Sequence, residues 1–226
     1  EKRLQDMQNK WLARGPRFRL DAEGIRDNAL TIAGLLSTAK GGPSIRPPQP
    51  NGLWTKVGGQ KYTYEVSPGE QQYRRGIYVV LKRGSPYPSF TTFDATERMT
   101  CMTSRSRSNT PLQALVLLND PVYTEAAFAF AKRILSDSPG DTDTSRIGYG
   151  FRIAVSRQPT ASEMNLLQKL LNTERQKLVA NPQKIEAIMK DHSAINIPKS
   201  MNVNELAAWY AIAATILNLD ETITKN

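Results

Sequence analysis

The sequence predicts a mainly α-helical protein, a helical bundle of about seven helices with long ordered loops and at most one small β-hairpin. Three observations predict it. Apolar residues recur three and four positions apart in one segment after another, which is the spacing of a helix face. Helix-start signals stand before most of those segments, as Ser/Thr-x-x-Glu/Gln or as proline at the first helical position. Proline and glycine, 14 of each, gather between them, and only one short stretch alternates as a half-buried strand does.

In chain order, LDAEGIRDNALTIAGLLS from Leu20 places Ala22, Ile25, Ala29, Ile32, Ala33 and Leu36 at helical spacing. Asp21 is its candidate N-cap, and the helix should stop before Gly41-Gly42-Pro43. GGPSIRPPQPNGLW is too rich in proline and glycine for regular structure and reads as a long loop that Trp54 anchors. TKVGGQKYTYEV alternates at Tyr62, Tyr64 and Val66 and predicts a short hairpin around Gly58-Gly59. SPGE at Ser67 reads as a capping box with Pro68 in first position. It predicts a helix that carries Tyr73, Ile77, Val80 and Leu81 on one face and ends at Gly84 to Pro88. SFTTFDATERMTCMTSRSRSN has no clean period, and Phe90 and Phe93 are its expected anchors.

TPLQ at Thr110 offers an N-cap, a proline at the first position and Gln113 as reciprocal cap. Leu112, Leu115, Val116 and Leu118 make that helix apolar on most sides, which predicts burial. Asp120-Pro121 starts another helix through Glu125, Phe128, Ala131 and Leu135. Ile147, Phe151 and Val155 follow at fourfold spacing, and TASE at Thr160 is a capping box before Met164, Leu167, Leu170 and Leu171. Asn181-Pro182 opens a short helix through Ile185 and Ile188. NELAAWYAIAATILNLD, apolar nearly all round, should form the core with the helices from Thr110 and Thr160. The whole chain, 1–226, reads as a single domain with a basic loop-rich half, 1–110, and a helical core half, 111–226.

Composition removes several functions. No run of 18 apolar residues exists, so no membrane-spanning helix is expected. The polar start EKRLQDMQNKW does not read as a signal peptide, and the missing initiator Met suggests a fragment or a processed product. One cysteine, Cys101, excludes an internal disulfide, and one cysteine with one histidine is a poor start for a zinc site, so no metal is expected. No CxxCH motif occurs, so no haem attaches here. His192 reads as a surface histidine and Cys101 as a small buried residue.

The net charge of +9 sits wholly in one half. Residues 1–110 hold 18 Lys and Arg against 9 Asp and Glu, and 12 of the 18 are arginine; residues 111–226 hold 12 against 12. Arginine is the residue of forked carboxylate, phosphate and sulfate recognition, whereas nucleic-acid binders favour lysine clusters with interleaved aromatics. Nucleic acid is therefore an unlikely partner. The candidate anion-binding residues are Arg14, Arg17 and Arg19 in RGPRFRLD, Arg74 and Arg75, and Arg105, Arg107 and Asn109 before the helix start at Thr110. The alternative is that these arginines pair with Asp21, Asp27, Asp94 and Glu97 inside the fold. Asp94 and Glu97, three apart in FDATER, are weak candidates for an acid/base pair.

ARGPRFRLDAE, GLLSTAKGGPSIRPPQPNGLW, QQYRRGIYVVLKRGSPYPSFTTFDATER, TSRSRSNTPLQALVLLNDPVYTEAA, AVSRQPTASEM and AIAATILNLDETI occur in that order. Over nearly the whole chain they resemble the C-terminal planctomycete surface domain of unknown function. The resemblance implies the tail of a large exported protein whose N-terminal part carries a cytochrome-c-type domain. It therefore implies a periplasmic or cell-surface location, the N-terminal domains of the same protein as partners, and haem only in the N-terminal domain. It implies no catalytic residues. Three functions stay open: a module that binds an acidic or sulfated polysaccharide through an arginine-rich face, part of a glycan-active or redox enzyme site completed by other domains, and a surface assembly scaffold.

Overall fold

The computed structural model describes residues 6–13, 15, 17–54, 63–96 and 98–225. Among them the helices are α1 (Ala22–Ala33), α2 (Pro88–Thr92), α3 (Pro111–Asn119), α4 (Pro121–Asp137), α5 (Asp143–Val155), α6 (Ala161–Ala180), α7 (Gln183–Asp191), α8 (Val203–Leu217) and α9 (Asp220–Ile223). Seven of these run for nine residues or more, and the protein is mainly helical as its sequence predicts. Two strands, β1 (Phe18–Arg19) and β2 (Thr224–Lys225), pair antiparallel with Phe18 opposite Lys225 and Arg19 opposite Thr224.

The most apolar helix lies at the centre. Asn202 caps α8 by accepting from the Asn204 and Glu205 amides at 2.9 and 3.3 Å. Leu206, Ala208, Trp209, Ile212, Ala213 and Ile216 are fully buried, each large one worth about 1.5–3 kcal/mol relative to exposure. On one side α8 packs against α4, whose Phe128, Phe130, Ala131 and Ile134 are also fully buried, and on the other against α6. Helix α1 covers the far face of α4. Gly150 lets α5 close on α4, because a Cβ there would stand 2.7 Å from the Ile134 Cδ1.

Three local start signals, at Asp120, Thr160 and Asn202, act as read, whereas Asp21 and Thr110 stand at the N-cap positions of α1 and α3 without a side-chain capping bond. Thr160 and Glu163 form a complete capping box on α6, and the Asp120 carboxylate accepts from the Val122 amide at 3.0 Å to start α4. Helix α1 ends earlier than expected, at Gly34, whose left-handed backbone (φ 76°) returns its N–H to the last turn.

The helix expected from Ser67 does not form. Two short 3-10 turns, Gly69–Tyr73 and Gly76–Tyr78, take its place. The cause is tertiary. Backbone bridges join Ser37 to Arg74 and Ile45 to Val79. The Arg26 guanidinium, buried beneath, donates to the Arg74 and Gln72 carbonyls at 2.7 and 2.5 Å. A continuous helix would spend those groups internally. Gly76 also presses on α1, where a Cβ would meet Glu23 at 2.9 Å. The hairpin expected around Gly58-Gly59 lies outside the described residues. Trp54 anchors its loop as expected, at 8% exposure, edge-on to Tyr64 with Lys82 over its ring.

Three further expectations are corrected. Helix α3 is not buried, for only Gln113 and Leu117 turn inward while Leu112, Leu115 and Leu118 are exposed. It lies at the edge of the bundle, so packing from one side leaves the rest of an all-apolar helix in solvent. His192 is not a surface residue: it is 7% exposed and stacked on Phe128. Cys101 is exposed in the loop before α3.

Candidate functional site

The candidate arginines among the described residues divide into two groups. Arg17, Arg19, Arg105 and Arg107 gather around the start of α1 and the start of α9. Arg17 and Arg19 both reach Asp220 in the first turn of α9, Arg19 at 3.0 Å. The β1–β2 pair fixes this approach, because it sets Arg19 beside Thr224. Arg19 also donates to Gln113 Oε1 at 2.8 Å. Gln113 does not return to cap α3. Its amide donates to the Thr92 carbonyl at 3.0 Å and the Ser108 hydroxyl at 3.1 Å, so one buried side chain ties β1, α2 and the loop before α3 together.

Arg105 meets Glu23 in a forked pair, with Nη1 and Nη2 at 2.6 and 3.0 Å from the two carboxylate oxygens. Burial raises the Glu23 carboxyl, but the Arg105 hydrogen bonds and charge outweigh it, and the net direction is down. Arg107 is held more loosely. Its guanidinium lies 5.5 Å over the Phe18 ring and 3.8 Å from Asp21, and both ion-pair partners are half exposed. Arg105 and Arg107 line an open cleft of ≈ 790 Å³, together with Asp21 and the hydroxyl-bearing Thr96, Thr103 and Ser104. Asn109 is exposed a few residues on, next to the Thr110 that begins α3.

Arg74 and Arg75 stand elsewhere. Arg74 is buried, donates to the Pro43 carbonyl at 2.9 Å and to the Gly41 carbonyl, and lies 3.9 Å over the Tyr78 ring. It holds the proline-rich loop. Arg75 is exposed, 3.7 Å from Asp27 further along α1. Arg14 lies outside the described residues. The weak acid/base candidates do not show a pair, since Glu97 lies outside the described residues. Asp94, at φ 60°, accepts from the Ser108 N–H and hydroxyl at 2.7 and 2.8 Å, which makes it the clamp of this loop.

The partners of these arginines were only partly foreseeable. Asp21 and Asp27 serve as expected acceptors, but Glu23 and Asp220 carry the closest pairs. Asp220 is about 200 positions from Arg19, and nothing local marks it. The hydroxyls of Thr96, Thr103 and Ser104 belong to a segment without periodicity, and only the folded loop turns them to one cleft. Among the described residues no helix is long and apolar enough to cross a membrane.

Comparison with known families places the chain. Residues 1–171 match the family model PSD1, described as a protein of unknown function (DUF1553). No curated protein matches the chain, and no solved structure does.

Proposed function

The chain belongs to the PSD1 family of unknown function (DUF1553), and from that premise we propose that it is a non-haem binding module for an acidic saccharide, carboxylated or sulfated, within an exported cytochrome-c-linked protein. One observation carries the reading: the cleft that sets Arg105 and Arg107 among the hydroxyls of Thr96, Thr103 and Ser104. Guanidinium groups fork onto carboxylate or sulfate, and hydroxyls complete the hydrogen bonding of sugar oxygens. Arg107 is the group free to exchange partners, because its ion pair with Asp21 is long and half exposed and so worth little, under about 1 kcal/mol. Arg105 stays on Glu23 and holds the wall. Haem chemistry on this reading belongs to an N-terminal domain, and the expected location is the periplasm or cell surface.

The test is thermal unfolding with a sulfated glycan, a polyuronate and a neutral glycan at two salt concentrations. A ligand at 100 times its dissociation constant stabilises the native state by about 2.7 kcal/mol. The acidic glycans should shift unfolding upward, less at high salt, and Arg107→Ala should abolish the shift without unfolding the protein. No shift with any glycan, or an equal shift with the neutral one, overturns the reading.

A second reading, a surface assembly scaffold, is favoured by the exposed Leu112, Leu115 and Leu118 on α3. Self-association lost in Leu115→Glu, measured by sedimentation, would support it; a monomer at all concentrations would remove it.

A further inference from the structure

The two-residue ladder of β1 and β2 has an inner and an outer face. Its register sets Arg19 opposite Thr224 and Phe18 opposite Lys225, and successive residues of a strand point to opposite faces. Arg19 and Thr224 turn toward the body, with the Arg19 side chain 12% exposed and Thr224 buried. Phe18 and Lys225 turn outward, and both are exposed. Residues directly opposite in an antiparallel pair hold their Cβ atoms about 4.5–5.5 Å apart, so the lysine stands beside the phenyl ring.

Arg107 joins this outer face to the arginine cleft. It lines the cleft, and its guanidinium lies 5.5 Å over the Phe18 ring. The ring keeps 41% of its surface exposed under that contact. The fold does not call for a phenylalanine here. Backbone bonds make the ladder, and the inward Arg19 ties it to the core through Gln113 and Asp220. An exposed ring on a pinned strand, with one cation over it and another across the ladder, is placed to meet a ligand.

Charge and chemistry narrow the ligand. Arg17 and Arg19 share Asp220, Arg107 faces Asp21, and Lys225 enters none of these pairs. Four cations against two carboxylates leave two positive charges over, which suits an anion. The phenyl face carries the negative side of the ring quadrupole, so it takes the C–H face of a sugar and not its acid group. The acid groups then fall to Arg107 and Lys225. A single-stranded nucleic acid tracks along successive rings, whereas the ladder offers one, and the adjoining cleft carries the hydroxyls of Thr96, Thr103 and Ser104.

We propose that the saccharide site continues from the arginine cleft across Arg107 onto the outer face of the ladder, so that its ligand is an oligosaccharide of acidic units, with one sugar ring on Phe18 and acid groups on Arg107 and Lys225. The proposal rests on the acidic-saccharide reading of the cleft and adds to it a requirement for chain length.

The test is calorimetric titration of the whole chain with oligogalacturonides and sulfated carrageenan oligosaccharides of two and six units, and with a single-stranded oligothymidylate. The six-unit acidic sugar should bind about tenfold more tightly than the two-unit one; the tighter of the two series assigns carboxylate or sulfate. Phe18→Ala and Lys225→Gln should each remove most of that difference and leave the two-unit affinity and the melting temperature unchanged, because both side chains are exposed. Phe18→Tyr should restore the length dependence, as a ring that offers the same face. Six-unit binding as tight in Phe18→Ala and Lys225→Gln as in the parent, while Arg107→Ala abolishes binding at both lengths, overturns the extension and spares the cleft. No binding of either acidic sugar overturns both, and so does tighter binding of the oligothymidylate.

Discussion

Arg105 and Glu23 face each other fork to fork, with nitrogen–oxygen distances of 2.6 and 3.0 Å, and so the loop before α3 is fastened to the first turn of α1. The pair is about three-quarters buried at both side chains. Arg105→Ala should cost about 1–2 kcal/mol in urea unfolding, more than an exposed pair would. Arg105→Lys should recover less than half of it, since an ammonium cannot fork. The folded Glu23 pKa lies below its ordinary value of 4.5. Its stabilisation is therefore present above that pH and lost as pH falls through the lowered value. Arg105→Ala should flatten this acid limb, and an unaltered limb would contradict the role given to the pair.

The same turn of α1 is pressed from its other side by Gly76, where a Cβ would lie 2.9 Å from Glu23 Cα and Cβ. The obstacle is backbone, which cannot swing away. Gly76→Ala should destabilise the protein by about 1–3 kcal/mol. It should also move Glu23, so its effect and that of Arg105→Ala should be less than additive in a double-mutant cycle. Strict additivity would show that Gly76 and the ion pair are uncoupled.

Asp120 behaves in the opposite sense to Glu23. Burial pushes its pKa up to about 6, and the Val122 amide, the Tyr87 hydroxyl and Arg26 offset only part of that. The folded protein holds this proton more tightly than the unfolded chain, where Asp titrates near 3.8. Its contribution is complete below that value and is lost as pH rises through about 6. Asp120→Asn keeps an N-cap acceptor and removes the buried charge. On passing from about pH 4 to about pH 7 the variant should gain about 2 kcal/mol relative to the parent. Urea midpoints at both pH values measure this, and a constant difference would refute it.

On α3, burial divides neighbouring leucines. Leu117 is 4% exposed and Leu115 is 55% exposed. Leu117→Ala should cost about 2–5 kcal/mol, whereas Leu115→Gln should stay within about 0.5 kcal/mol of the parent. A large loss for Leu115→Gln, measured by thermal unfolding, would mean that something covers this face in solution.

Where the chain states its structure locally, the sequence was legible. The capping box at Thr160, the Asp120-Pro121 start and the Asn202 cap are short-range bonds whose donors and acceptors lie within three residues, so spacing reveals them. The segment after Ser67 carries equally good local signals and still forms no helix, because Arg26 and the 37–45 loop claim its backbone from far along the chain. For α3, periodicity gave the helix and misjudged its environment, since an all-apolar pattern does not say how many sides have neighbours. The site was less legible than the fold. Arginine bias marked Arg105 and Arg107, but Glu23 and Asp220 become their group's partners only through tertiary approach. His192 left no trace in the sequence, because its burial depends on Phe128 and Tyr210 from two other helices.

The two-residue ladder between β1 and β2 has a mechanical consequence. Because it is antiparallel, with Phe18 opposite Lys225, the chain enters and leaves at the same end of the ladder. Tension applied across residues 17 and 225 therefore acts as on a zipper, breaking the backbone bonds in turn and not sharing the load among them. The Asp220 pairs to Arg17 and Arg19 stand next in line. Under pulling, this clasp should open at low force and lengthen the molecule by a small step while α4, α6 and α8 remain packed. It would serve as a yielding link ahead of a stiff body.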